Sequence, residues 1–155
     1  MDGRRPQLFV REGDRVVEAP EEDVAVAAGY AEWEPKGWAV AGRRVTVMTA
    51  GSTYAVDEEV RVIHVMEALE SGVALYVVGP KEVIGEHVDG ERRTAEAVLG
   101  VDPLEPATYD GPVLDGPGVD FNWEITSYRF AEPGRHVIVW EPGDLRSNEL
   151  IVDVV

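Results

Sequence analysis

Cysteine is absent from the 155 residues, which excludes disulfide staples and zinc sites built on thiolates. Lysine is nearly absent: Lys36 and Lys81 are the only two among 14 basic residues, against 30 acidic ones. The formal net charge is −16. Such a field repels nucleic acid and anionic membrane surfaces, because both need clustered Lys and Arg. It favours solubility and attracts cations or a basic protein surface, and its plainest reading is a solvated acidic exterior. No apolar run approaches the ~20 residues of a membrane-spanning helix. The start, Met1-Asp2-Gly3-Arg4-Arg5-Pro6, leads into no apolar stretch of the signal-peptide kind. The chain as given reads as cytoplasmic, and an exported mature form would read the same.

Catalytic signatures are missing as well. There is no Gly-x-Ser-x-Gly, and Ser52 follows Gly51 without the strand-to-helix context of a nucleophile. In Gly116-Pro117-Gly118 a proline stands where a phosphate loop needs a backbone donor, and no lysine follows. Thirty acids always allow some carboxylate pair, so glycoside cleavage has no specific pointer.

What is present is a globular composition, 45% hydrophobic, with 16 Gly and 10 Pro gathered in short turn-like clusters. That pattern punctuates short strands better than long helices, and a chain of this length supports one core. The expectation is a single mainly β domain over 1–155, an antiparallel β-sandwich with room for one short N-terminal helix. Two β-like runs, 7–10 and 15–18, flank a hairpin turn at Glu12-Gly13-Asp14. Pro20 followed by three acids is a helix-start signal; 21–28 reads equally as a helix stopped by Gly29 or as a strand through 24–26. Strands are expected at 38–41 and 45–49, around Gly42-Arg43-Arg44. The run 60–66 is nearly continuous in apolar, β-branched residues, which suits a central strand covered on both faces. A buried strand is expected at 73–78, and Asp89-Gly90 is a strong hairpin signal. Residues 100–120, rich in Pro and Gly, read as a long ordered loop or an internal linker.

The last third alternates most clearly. A strand over 121–130 would place Phe121, Trp123 and Ile125 on one face, with Tyr128 and Phe130 on the other. His136, Ile138 and Trp140 share a side of the next strand, and Leu150, Val152 and Val154 alternate in the last. The segments Tyr128-Arg129-Phe130, Pro133-Gly134-Arg135-His136-Val137-Ile138 and Ser147-Asn148-Glu149-Leu150-Ile151-Val152 resemble the closing strands of bacterial immunoglobulin-like and fibronectin-like domains. The resemblance covers about the last 35 residues. It departs at His136, where that family often has Tyr, and in lacking the usual Cys pair. It implies an immunoglobulin-like β-sandwich used for adhesion, spacing or partner recognition rather than catalysis.

Candidate chemistry is sparse. His64, His87 and His136 show no close ligand spacing, and His64 sits in an apolar run as a hydrogen-bonded core residue would. Asp102, Asp110, Asp115 and Asp120 offer oxygen ligands for calcium, yet their spacing is ordinary turn chemistry. Trp33 and Trp38 flank Glu34-Pro35-Lys36-Gly37. There they either present aromatic surface to a ligand or fold back on the core. The reading is a non-catalytic protein-recognition or assembly module without cofactor or metal. Its binding residues are Trp33, Trp38, Asp110 and Asp115, and its partner is a protein with a basic surface. The alternatives are a structural, decorating or self-assembling subunit, whose 1–6 segment orders on docking, and a calcium- or zinc-binding β-sandwich.

Overall fold

The computed structural model describes residues 6–106 and 108–155. In chain order the elements are β1 (Phe9–Glu12), β2 (Arg15–Glu18), α1 (Glu21–Ala28), a 3₁₀ turn (Tyr30–Glu32), β3 (Arg43–Met48), β4 (Thr53–Tyr54) and β5 (Glu59–Ala68). They continue with β6 (Ala74–Tyr76), β7 (Glu86–Val88), β8 (Glu91–Arg92), β9 (Val113–Asp115) and β10 (Gly118–Asp120). β11 (Thr126–Arg129), β12 (Gly134–Trp140) and β13 (Leu150–Val154) close the chain. The fold is mainly β, with one short N-terminal helix. The docking role expected for 1–6 falls, from 1 to 5, outside the described residues.

β5 organises the molecule. β3 runs antiparallel along one edge of it, and both β10 and β11 pair with the other edge, at its two ends. A second sheet has the order β4-β13-β12-β7-β8, antiparallel except where β4 meets β13. The even-numbered residues of β5, Val60, Val62, Met66 and Ala68, join Val45 and Val47 of β3 in one apolar cluster. That cluster also takes Val88, Ile138, Trp140, Leu150, Val152 and Val154 from the second sheet. The two sheets therefore face each other across this core. The alternation expected of the last strand is present, and Tyr128 and Phe130 do share the core side.

The opposite face of β5 is covered too, as the apolar run 60–66 implied. Ile63 and Val65 form a second cluster with Met48, Leu8, Val24, Ala27 and Tyr30. The N-terminal hairpin, turning at Gly13 with positive φ, and α1 thus make an outer layer. The helix alternative for 21–28 is the one realised. Pro20 fits the N-cap, three acids occupy the first turn, and Gly29 closes the end. Two polar ties hold this layer: Arg61 on β5 forms a forked pair with Asp23, and Glu67, itself paired with Arg44 of β3, accepts from the Tyr30 hydroxyl (2.6 Å). Burial, then Glu67, pushes the Tyr30 hydroxyl up to about 12.

Three expectations need correction. The stretch 38–41 is not a strand; only Val40 bridges to Arg43, around Ala41-Gly42, both at positive φ. The turn expected at Gly42-Arg43-Arg44 therefore sits one residue earlier, and both arginines belong to β3. At 73–78 only three residues form a strand, paired with β9 alone, and Val78 is exposed. The run 121–130 is broken. Trp123 enters the inter-sheet core, whereas Phe121 and Ile125 pack on the N-terminal layer. Asn122 explains the break. Its N–H donates to Asp120 Oδ1 (2.9 Å), its Nδ2 to the Val77 carbonyl (3.0 Å), and its Oδ1 accepts from Phe9 N–H (3.3 Å). Such side-chain bonds compete with a ladder.

Polar side chains also join the sheets. Asn148, just before β13, accepts from Val47 N–H (2.9 Å) and donates to the Val47 carbonyl (3.0 Å). It thereby caps the free edge of β3. Replacing Asn148 by Ala leaves a buried N–H and C=O unpaired, so a loss of about 2–6 kcal/mol is expected, at roughly 1–3 per orphaned group. Urea unfolding measures it; a loss below about 1 kcal/mol would mean that water replaces the amide at that edge.

Candidate functional site

Two polar centres lie in and beside the inter-sheet core. At the first, Glu86 on β7 is fully buried. Its Oε2 is hydrogen-bonded to His64 Nε2 on β5. Its Oε1 accepts from Thr126 (2.5 Å) and Tyr128 (2.5 Å), both on β11. Burial alone would raise the Glu86 carboxyl, but His64 and the two hydroxyls together hold it below the usual carboxylate range. The same carboxylate pushes the Tyr128 hydroxyl up, after burial itself. His64 meets Trp140 edge to face at 5.0 Å, and its Nδ1 has no hydrogen-bond partner among the described residues. The carboxylate, closed off from solvent and held by three partners, clamps one sheet to the other.

The second centre adjoins the surface. Lys81 and Asp120 form an ion pair at 2.9 Å with each side chain only 4% exposed. Lys81 Nζ also donates to the Asn122 carbonyl (2.8 Å) and lies 4.7 Å from the Trp123 ring centre. Burial lowers the Lys81 ammonium and raises the Asp120 carboxyl, each despite the other's charge. Trp123 packs on Trp140 at 5.2 Å, so an aromatic chain connects the two centres. Gly79 is required beside them, since a Cβ there would lie 2.3 Å from the Asn122 carbonyl oxygen.

Lys81 and Trp123 form part of the floor of a cleft of about 510 Å³ between 78–84 and 101–110. Apolar walls come from Val78, Pro80, Pro103, Pro106 and Tyr109. The Tyr109 ring is fixed by its hydroxyl, which donates to the Pro112 carbonyl (2.5 Å) and accepts from Val78 N–H (3.2 Å). Glu82, Asp102, Glu105 and Asp110 supply carboxylates to the lining. Asp102 is neutralised by Arg43 at 2.8 Å.

The four residues expected to bind are distributed as follows. Asp110 lines this cleft. Asp115, in β9, accepts from Gly72 N–H (2.7 Å) and belongs to the β6–β9 ribbon. Trp33 packs against both apolar clusters with its indole nitrogen buried and unpartnered among the described residues. Trp38 is 76% exposed. The tryptophans that flank the 34–37 loop thus do not act as one surface. Gly37 pins the loop, because a Cβ there would collide with the Val45 carbonyl. Lys81, Trp123 and Tyr109 were not singled out as binding residues. A signal for Lys81 exists: one of only two lysines follows Gly79-Pro80 in an apolar stretch.

The histidines are separated by their partners: His64 by Glu86, His87 by the Gly85 carbonyl, His136 by Asp89. No group of three or more His, Asp or Glu is placed to hold a metal ion among the described residues. His136 stacks on Phe130 at 4.1 Å, and its ring nitrogens contact Asp89 (2.7 Å) and the Glu132 carbonyl (2.8 Å). The hydrogen bond to Asp89 raises its pKa. A raised folded-state value means that this stabilisation is complete below the ordinary histidine value of about 6.5 and is lost as pH rises through the higher folded value. The stability advantage of the wild type over His136→Gln should therefore shrink from acid to alkaline pH, by less than ~1 kcal/mol because the Asp89 carboxylate is half exposed to solvent. Denaturant midpoints of both proteins across that range test it; a constant difference would show that stacking alone matters.

Comparison with protein-family models, with curated proteins and with solved structures finds no match. No helix among the described residues is long and apolar enough to cross a membrane.

Proposed function

We propose that this chain is a non-catalytic recognition module, an immunoglobulin-like β-sandwich whose acidic surface engages a basic protein partner. The cleft beside Lys81, Trp123 and Tyr109 carries the proposal: it combines apolar walls with a few placed polar groups, the usual make-up of a binding site. Two sheets packed over a shared core support the sandwich reading, and the closing-strand resemblance supports its family. The net charge of −16 would accelerate encounter with a cationic partner and make it salt-dependent. The exposed Trp38 side chain offers further apolar surface to a partner.

Selection from a displayed random-peptide library tests the proposal. Enriched peptides should converge on a motif combining basic and apolar residues. Enrichment should fall with added salt and be lost when Val78→Glu narrows the cleft. Absence of convergence, or binding indifferent to salt and to that variant, would sink it. An assembly role is the second reading, favoured by the exposed apolar side chains of Val98, Leu99 and Val101. Its discriminator is a defined oligomer in sedimentation that Leu99→Ser disperses.

A further inference from the structure

We infer that the cleft between 78–84 and 101–110 is a subsite for an arginine side chain of an extended partner segment; the inference rests on the recognition reading and specifies its ligand. Charge decides the sign of the ligand. Four carboxylates and two cations, Arg11 and Lys81, line the cleft. Lys81 is matched by Asp120, and Asp102 by Arg43. What remains is Glu82, Glu105 and Asp110 against Arg11. All three of these carboxylate residues are exposed, and Glu82 and Asp110 make no ion pair among the described residues. The cleft therefore presents an excess of unmatched negative charge over apolar walls.

The walls decide which cation fits. An ammonium is compact and strongly hydrated, so it gains little from apolar surroundings. A guanidinium is planar and weakly hydrated, stacks on rings and forks onto carboxylates. Tyr109 offers such a ring, held at its hydroxyl by two hydrogen bonds and edge-on to Tyr76 at 5.3 Å. Pro80, Pro103 and Pro106 give rigid apolar faces for the alkyl stem. Trp123 does not serve as the stacking face, since Lys81 already occupies a place over its ring. Tyr109 thus stacks the guanidinium, and Asp110 and Glu82 receive its N–H groups.

The test uses the whole chain, labelled for NMR, and three small probes: the N-acetyl amides of arginine, lysine and citrulline. The arginine probe should give saturable shifts confined to the cleft residues, Tyr109, Asp110 and Glu82 with their neighbours Gly79, Lys81 and Trp123, in the millimolar range expected of one side chain. Citrulline, nearly isosteric but neutral, should bind about tenfold more weakly, the loss expected for a charge-assisted hydrogen bond. Glu82→Gln/Asp110→Asn, at exposed positions, should weaken arginine similarly while leaving the spectrum otherwise folded. Equal binding of citrulline, equal binding of lysine, or non-saturating shifts spread over the acidic surface would each overturn the assignment. Library peptides that need the cleft but lack arginine would overturn this inference and leave the recognition reading standing. Saturable arginine binding without any convergent peptide would do the reverse.

Discussion

Replacing Glu86 by Ala is expected to cost about 3–5 kcal/mol, the range for removing one partner of a buried charged network. Three groups lose their acceptor at once: His64, Thr126 and Tyr128. His64 cannot turn to water, since its ring lies fully inside, and the half-buried Thr126 and Tyr128 hydroxyls lose a charged acceptor. The connection is also the polar link from β7 in one sheet to β5 and β11 in the other. Its loss should therefore lower the cooperativity of the inter-sheet packing as well as the midpoint. Urea unfolding followed by tryptophan fluorescence reads both, because Trp140 packs edge to face on His64. Glu86→Gln should fall between wild type and Glu86→Ala. An amide still accepts at one end, but its NH₂ opposes a donor at the other. A loss under about 1 kcal/mol for Glu86→Ala would mean that the sheets are held by apolar packing alone.

The network does not have to be a net source of stability for that prediction to hold. Burying a carboxylate carries a large desolvation cost, which its three donors offset only in part. What it supplies is register. Asn148 against Val47 and Glu86 against His64 fix the two sheets at two separate places. Apolar contact between Val47, Val62, Ile138 and Val152 would tolerate sliding far better than these directional bonds do.

How far these features were legible depended on whether local chemistry agreed with the tertiary environment. Asp89-Gly90 and Glu12-Gly13-Asp14 made their turns because a left-handed conformation is cheap for Gly and Asp. β5 and β13 followed from residue type and alternation. The segment 121–130 was misread because its alternating aromatics resemble a strand, while Asn122 redirects its own backbone. Glu86 was overlooked as one acid among thirty. Yet it alternates with Val88 across the less buried His87, and an acid at the inward position of a strand is itself a pointer to a buried partner. Of the four expected binding residues, Asp110 lies in the cleft and Trp38 on the surface. Whether Trp33 would fold back depended on long-range packing against both clusters, which no spacing in 33–38 encodes.

Lys81→Met should be the other severe single substitution, again costing about 3–5 kcal/mol at neutral pH. It leaves the Asp120 carboxylate buried with one backbone donor, the Asn122 N–H, and removes the cation from the Trp123 face. The pH dependence distinguishes this cause from simple misfit. Burial already raises the Asp120 carboxyl above its ordinary value with Lys81 present, and losing the ammonium raises it further. A group with a raised folded-state value contributes stability that is complete below its unfolded value and lost as pH rises through the folded one. The variant should accordingly recover part of its deficit relative to wild type as pH falls from neutrality toward the carboxylate range. The pair itself also has a predicted balance. Burial lowers Lys81 and raises Asp120 against their mutual attraction, and for a buried pair of this kind desolvation offsets much of the Coulombic gain. Lys81→Met/Asp120→Leu should then lie within about 1–2 kcal/mol of wild type, and the double-mutant cycle should show strong coupling. Additive losses in the double variant, or a deficit independent of pH, would mean that the two residues act through packing at the cleft floor and not as a charge pair.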